Sequence, residues 1–106
     1  MTAAEDRLAL LLDVMRIPYE REYRAVEGRK LRWDFYVPCV NLLIEIQGGV
    51  WMRKGGHNTG GGIRRDCEKV TLATLHGYRV MLFTTADVMD DTAIDAVIEL
   101  VNKEAK

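Results

Sequence analysis

The 106-residue sequence predicts a single domain of the mixed α/β class, in which helices pack on one β-sheet. Three observations predict this class. Apolar residues recur at helical spacing near both ends of the chain, several apolar strand-like runs follow one another across short turns, and a third helical segment leads into a further strand. An antiparallel meander followed by a helical crossover gives a mixed sheet, and the predicted order is αβββαβα.

The N-terminal half is predicted to form one helix and three strands. Apolar residues that recur every three or four positions indicate a helix over residues 3–16, and Pro18 prevents its continuation. Two strands then meet at a turn around Gly28, and a third strand follows Pro38. The predicted strands span residues 19–25, 31–37 and 41–47.

The C-terminal half is predicted to contain a loop, a helix, a strand and a last helix. Residues 48–61 hold too many glycines for a regular element. A helix from about Gly62 to His76 ends at Gly77, and residues 78–84 form the fourth strand. Ile94, Val97, Ile98 and Val101 mark the last helix, which is amphipathic. The crossover returns the helix at 62–76 close to the third strand.

The composition excludes several classes of protein. Hydrophobic residues make up 48% and charged residues 29% of the chain, as in ordinary globular domains. No apolar run approaches the ~20 residues of a membrane span, and the first residues lack the pattern of a signal peptide. Cys39 and Cys67 form no CxxC pair, which predicts reduced, buried thiols and no zinc site. We therefore expect a cytoplasmic protein without membrane association.

The charge is unevenly distributed although the net charge is only −1. Between Gly48 and Arg79 there are six basic and two acidic side chains, whereas from Val80 to the end there are six acidic and two basic ones. Chance clustering on a solvated surface explains this pattern as well as a local anion site does.

Oxygen-bearing side chains lie where the second and third strands could bring them together. Asp34 lies on the second strand, and Glu45 and Gln47 share one face of the third because they are two residues apart. Together with the backbone carbonyl of Ile46, they would form the all-oxygen cluster that Mg²⁺ or Mn²⁺ prefers. The sequence therefore predicts a metal site formed by Asp34, Glu45 and Ile46.

Ion pairs would explain the same carboxylates without a metal. Asp34 could pair with Arg32 on an edge strand, and Glu45 could pair with Lys69 or Arg79. The neighbouring glycine-rich loop and basic segment favour the metal over these alternatives.

Asp34 followed by Glu45-Ile46-Gln47, in an αβββαβ order, resembles the PD-(D/E)XK nuclease superfamily. More narrowly, the string GGVW…GGHNTGGG…DCEK…HGYRVMLFT is similar to small phage and prophage nucleases of the VRR-NUC type, often considered Holliday-junction resolvases. The resemblance covers roughly residues 31–84. It implies a restriction-endonuclease-like core with a C-terminal helix, Mg²⁺ or Mn²⁺ as cofactor, branched DNA as partner, and a bacterial host cytoplasm if the protein is phage-encoded.

One departure from the superfamily concerns its lysine, because Gln47 stands at that position. Glutamine can join a metal shell but cannot act as a cation or a proton donor. Lys69 could take over this role from the crossover helix, where it lies one turn from Asp66. A plain surface pair between Lys69 and Asp66 is an equal alternative.

Two further residues are candidates for the site. Glu5 continues the inward face of the first helix, where the superfamily often carries a glutamate, although the helix dipole would favour a carboxylate there as well. His57, in the glycine-rich loop, would contact the scissile phosphate or shuttle a proton, with simple exposure as the alternative. The predicted catalytic residues are Glu5, Asp34, Glu45, Gln47, His57 and Lys69. The predicted contacts with nucleic acid are Arg53, Lys54, His57, Arg64 and Arg65.

The sequence thus predicts a Mg²⁺- or Mn²⁺-dependent endonuclease that hydrolyses DNA phosphodiester bonds, with branched DNA as substrate. A flap, mismatch or site-specific nuclease of the same fold is the alternative among enzymes. Because Gln47 replaces the lysine, a catalytically inactive member of the fold that only binds DNA or protein is a further alternative. Because resolution of a four-way junction requires two symmetric cuts, we expect a homodimer.

Overall fold

A computed structural model describes residues 2–48 and 60–105 of the chain, with the backbone alone for residues 60–63. The helices are α1 (Ala3–Val14), α2 (Gly60–Leu75), α3 (Thr85–Met89) and α4 (Thr92–Glu104). The strands are β1 (Glu20–Tyr23), β2 (Trp33–Val37), β3 (Leu42–Gln47) and β4 (Arg79–Thr84). Within these ranges, no helix is both long and apolar enough to cross a membrane.

The described strands form one mixed sheet in the order β1-β2-β3-β4. β1, β2 and β3 pair in antiparallel fashion, and β3 and β4 are parallel neighbours joined through α2. The predicted fold class and the αβββαβ order are therefore confirmed. β2 lies inside the sheet, so the alternative in which Asp34 lies on an edge strand is wrong.

Helices cover both faces of the sheet. The larger core cluster joins α1, α3 and α4 to one face, on which Phe35 and Ile44 are fully buried. The smaller cluster places Ala73 of α2 against Trp33 and Leu43. Because Leu43 and Ile44 are consecutive in β3, their side chains point to opposite faces, which puts α2 opposite the other three helices.

The C-terminal part of the chain differs from the prediction of one last helix. A short helix, α3, precedes α4 because Thr84 and Asp87 form a capping box: the Thr84 hydroxyl accepts from the Asp87 N–H at 3.1 Å, and the Asp87 carboxylate accepts from the Thr84 N–H at 2.9 Å. A short 3-10 helix over Pro38–Val40, also not predicted, connects β2 to β3.

Local details differ in smaller ways. β1 is shorter than the predicted strand 19–25, and α2 begins at Gly60 and ends at Leu75. Gly28 and Gly77 have φ of 81° and 85°, which confirms the predicted turn and helix end, since glycine adopts positive φ without strain. Cys39 and Cys67 are free, as predicted, but both are exposed rather than buried.

All four strands have one terminus at the same end of the sheet, where Gln47 of β3 is level with Thr84 of β4. Tyr23, the last residue of β1, pairs with Trp33, the first residue of β2. The antiparallel register of β2 and β3 brings the start of β2 to the carboxyl end of β3, at Gln47. We call this the site end of the sheet. Arg79 lies at the opposite end, because it pairs with Leu42, the first residue of β3.

Candidate active site

The backbone pairing of β2 and β3 stops at the site end, and carboxylates replace it. The pair nearest to that end is Phe35 with Ile44. Beyond it, the Ile46 N–H donates to Oδ2 of Asp34 at 2.8 Å, and the Asp34 N–H donates to Oε1 of Glu45 at 3.3 Å. Where the pairing of β2 and β3 stops, backbone N–H groups therefore hold both predicted carboxylates: Ile46 holds Asp34, and Asp34 holds Glu45.

Glu45 is neutralised by a lysine from the crossover helix. Nζ of Lys69 lies 2.6 Å from Oε2 of Glu45 and also donates to the Arg32 carbonyl. The same ammonium lies 5.2 Å from the centre of the Trp33 ring, within the range of a cation–π interaction. Because Lys69 is 8% exposed, this is a mostly buried charge with a hydrogen-bonded partner.

The amide at the position of the superfamily lysine is also bonded to α2. Nε2 of Gln47 donates to Oδ2 of Asp66 at 2.8 Å. Lys69 thus pairs with Glu45 and not with Asp66, so the alternative of a surface pair within the helix is wrong. We call this group the neutralised half of the site: Glu45, Gln47, Asp66 and Lys69.

A second group contains three carboxylates and no cationic member. One carboxylate oxygen from each of Glu5, Glu22 and Asp34 lies within 4.8 Å of the others. We call these three residues the acidic half. Glu5 reaches the group from the first turn of α1, where the Thr2 side chain caps the helix. The expectation that Glu5 points toward the site is confirmed geometrically.

Glu22 was not predicted, although its position in the strand pairing explains its presence. The pairs Arg21–Phe35 and Tyr23–Trp33 on either side set a register in which Glu22 lies opposite Asp34. Side chains directly opposite in an antiparallel pair are close neighbours. The φ of Glu22 is 52°, so β1 departs from regular strand geometry at this residue, and simple alternation along the sequence does not predict where its side chain lies.

Burial and mutual repulsion act on the acidic half. The pKa of Asp34 is raised to about 6: burial is the largest cause and the charge of Glu45 adds to it, whereas the bond from the Ile46 N–H acts in the opposite direction. Burial also raises the pKa of Glu5, with the Asp34 charge as the next cause. A bound cation would relieve both effects.

Two arginines form ion pairs with members of the acidic half, one with Glu5 and one with Glu22. Nη2 of Arg21 lies 3.8 Å from Oε1 of Glu5, and Nη1 of Arg32 lies 3.6 Å from Oε1 of Glu22. The predicted alternative of an Asp34–Arg32 pair is therefore wrong, because Arg32 pairs with Glu22.

Of the two ion-pair alternatives for Glu45, the pair with Lys69 is confirmed and the pair with Arg79 is wrong. Arg79 bonds the Val40 carbonyl at 2.7 Å and Glu104 at 3.0 Å, at the other end of the sheet. Arg64 and Arg65 are exposed on α2. The remaining predicted contacts with nucleic acid, Arg53, Lys54 and His57, lie outside the described residues.

The donor set of the acidic half suits a hard divalent cation. Three carboxylates offer oxygen ligands alone, which Mg²⁺ and Mn²⁺ prefer over the nitrogen and sulfur ligands typical of zinc. One of the three, Asp34, is held by a backbone N–H and is thereby oriented without a cation. The residues present therefore fit the cation that the sequence resemblance implies.

No protein-family model and no curated protein sequence matches the chain. Among solved structures, the chain is similar to the catalytic domain of the homing endonuclease I-Bth0305I, with a TM-score of 0.73 and 24% sequence identity over the whole of both chains. At this identity the similarity establishes a shared fold. The narrower resemblance to proteins of the VRR-NUC type stays a prediction.

Proposed function

We propose that the protein is a divalent-metal-dependent DNA endonuclease in which the acidic half binds the cation. The observation that carries the proposal is the convergence of three carboxylates at the point where β2 and β3 stop pairing. The fold shared with an endonuclease catalytic domain supports it.

Asp34 is the proposed central ligand of the cation. Its carboxylate has a fixed orientation through the Ile46 N–H, so little ordering is needed when a cation binds. Glu5 and Glu22 add negative charge from two other elements. Bound there, a divalent cation would offset the charge of the phosphate and lower the pKa of the attacking water. The other predicted ligands are Glu45 and the carbonyl of Ile46, which lie in β3 next to Asp34.

Lys69 is the proposed substitute for the superfamily lysine. Its ammonium lies at Glu45, one strand position from Ile46, and it is held by two oxygen acceptors. Gln47, bonded to Asp66, would orient α2 against β3 rather than transfer a proton. His57 remains the proposed phosphate contact or proton shuttle.

The proposed substrate is branched DNA, cut by a homodimer with one site per copy. This proposal depends on the sequence resemblance. The similarity to a homing endonuclease domain supports a second candidate, a nuclease that cuts duplex DNA at a specific site. An inactive member that binds DNA without cutting it is the candidate of another class.

The proposal is tested by incubating the protein with four-way junctions, flaps, mismatched duplexes and linear duplexes in the presence of Mg²⁺, Mn²⁺, Ca²⁺ or EDTA. We expect strand cleavage with Mg²⁺ or Mn²⁺, with paired nicks in the junction and poor cutting of linear duplex. Glu104→Gln removes an exposed carboxylate at the far end of the sheet. It is the control for variants that remove a carboxylate of the acidic half.

The outcomes separate the candidates. Cleavage that continues in EDTA would contradict metal dependence. Cutting at one position of a linear duplex library would favour the site-specific candidate. Metal-independent binding of DNA without any cleavage would favour the inactive member.

A further inference from the structure

The loop between β1 and β2, residues 24–32, extends from the site end of the sheet. It connects Tyr23 to Trp33, which pair with each other, and Asp34 follows directly. We call it the β1–β2 loop. The strand register alone therefore places this loop beside the acidic half.

The β1–β2 loop concentrates positive charge on a nearly neutral protein. Four of its nine residues are cationic and one, Glu27, is anionic, whereas the whole chain carries a net charge of −1. The four cations are all exposed: Arg24, Arg29, Lys30 and Arg32. A local concentration of this kind attracts polyanions even when the net charge does not.

Several contacts fix the loop against the site. Lys69 donates to the carbonyl of Arg32, and the Arg32 guanidinium pairs with Glu22 at 3.6 Å. Arg29 pairs with Glu68 of α2 at 3.4 Å, and Val26 is buried in the core cluster under α2. The loop is therefore attached to the acidic half, to the neutralised half and to α2, so its cations keep a defined position relative to the site.

Two cations of the loop are left for a ligand. Arg24 and Lys30 form no ion pair with any residue in the described ranges. Arg64 and Arg65 precede Glu68 by four and three residues, so they lie one helical turn away on the same side of α2. The pair between Arg29 and Glu68 therefore places the loop cations beside those of the helix.

We propose that the β1–β2 loop, together with Arg64 and Arg65, binds the phosphate backbone of the DNA duplex that flanks the cleaved bond. This inference rests on the proposed function and assigns its DNA contacts to a second element of the chain. Three carboxylates at the site repel a phosphate chain, so attraction must come from cations outside the acidic half. The β1–β2 loop supplies such cations next to the acidic half.

The test measures binding of a labelled DNA duplex by fluorescence anisotropy in Ca²⁺ at several salt concentrations. Each lost phosphate contact lowers the slope of log affinity against log salt by about 0.9, so the double variant Arg24→Gln/Lys30→Gln should lower it by about 1.8. The matched control, Arg79→Gln/Lys103→Gln, removes the same charge from residues remote from the site end and should leave the slope unchanged.

A second readout uses cleavage. If the loop binds only the flanking duplex, the loop variant should raise KM with kcat retained, because Asp34 and its neighbours are untouched. Equal changes of slope in both double variants, or no change in the loop variant, would overturn the inference and leave the proposed function standing. A wild-type protein that binds neither the duplex nor a four-way junction under any condition would overturn both.

Discussion

The acidic half and the neutralised half of the site adjoin each other, yet their charges are balanced in different ways. Glu45 has an ammonium 2.6 Å away, whereas Asp34 has two further carboxylates within 4.8 Å. The difference arises from the helix that reaches each strand: α2 brings Lys69 to Glu45, and α1 brings Glu5 to Asp34. A carboxylate inside a strand therefore does not by itself identify a metal ligand. The side chains around it determine whether it is paired with a cation of the protein or available to a metal ion.

This comparison has a consequence for function. The neutralised half satisfies its buried charge from within the chain, so it should stabilise the fold without a cation. In the acidic half, Glu5 and Glu22 pair with arginines, but Asp34 has no ion-pair partner among the described residues. Its raised pKa reflects the energetic cost of its ionised form. We therefore expect variants of the two halves to fail in different assays.

The largest effect is expected for Asp34→Asn. Loss of one transition-state donor costs about 100- to 1,000-fold in rate, and loss of the central ligand should exceed that range. Isothermal titration with Mn²⁺ and a cleavage assay should both show the loss, whereas the fold should persist because the asparagine oxygen can still accept from the Ile46 N–H. Unchanged cleavage by Asp34→Asn, with Glu104→Gln as control, would remove the acidic half from the reaction.

The next effect concerns stability. Lys69→Met should destabilise the protein by about 3–5 kcal/mol, because it leaves the Glu45 carboxylate buried without its partner. The side chains of this pair are 11% and 18% exposed. Urea unfolding gives the free energy of unfolding for the variant and the wild type.

A matched control exists on the protein surface. Lys103 pairs with Glu99 at 3.1 Å on α4, with side chains 69% and 68% exposed, so Lys103→Met should cost only about 0.3–0.5 kcal/mol. Adding Glu45→Gln to Lys69→Met should restore part of the loss, since no unpaired charge is left. Equal costs for the two lysine variants would show that the neutralised half does not depend on its ion pair.

A smaller effect is expected from pH. Below the ordinary Asp pKa of 3.8, Asp34 is protonated in both the folded and the unfolded state. Between there and about 6, the unfolded chain loses this proton first, so the folded state binds more protons and stability falls as pH rises. Above about 6 the contribution of Asp34 is constant. The metal-free wild type should therefore lose stability relative to Asp34→Asn across this window.

Urea unfolding of both proteins at matched pH values measures that difference. A constant difference from pH 4 to 7 would contradict the raised pKa of Asp34. Addition of Mn²⁺ should reduce the loss at the upper end, because a cation that binds only the folded state stabilises it.

Much of the fold and part of the site could be predicted from the sequence. Alternation and the short connection after Pro38 set the register that brings Asp34 next to Glu45. The pair between Lys69 and Glu45 was only one of the alternatives. Which residue of α2 faces β3 depends on the rotation of the helix about its axis, and the sequence does not give that rotation. Glu22 was not predicted because strand alternation does not account for a residue with positive φ. The Thr84–Asp87 capping box, which begins α3, is a signal in the sequence that apolar spacing does not contain.

The smallest effect is expected for Gln47, which belongs to the half that already has its cation. Gln47→Ala removes one hydrogen bond to Asp66 and should cost about 1 kcal/mol of stability. Its effect on cleavage should be smaller than that of Lys69→Met. Gln47→Lys restores the residue of the superfamily pattern next to Asp66 and should not increase the rate if Lys69 already supplies the charge. A strong increase in cleavage by Gln47→Lys, together with unimpaired cleavage by Lys69→Met, would show that Lys69 has only a structural role.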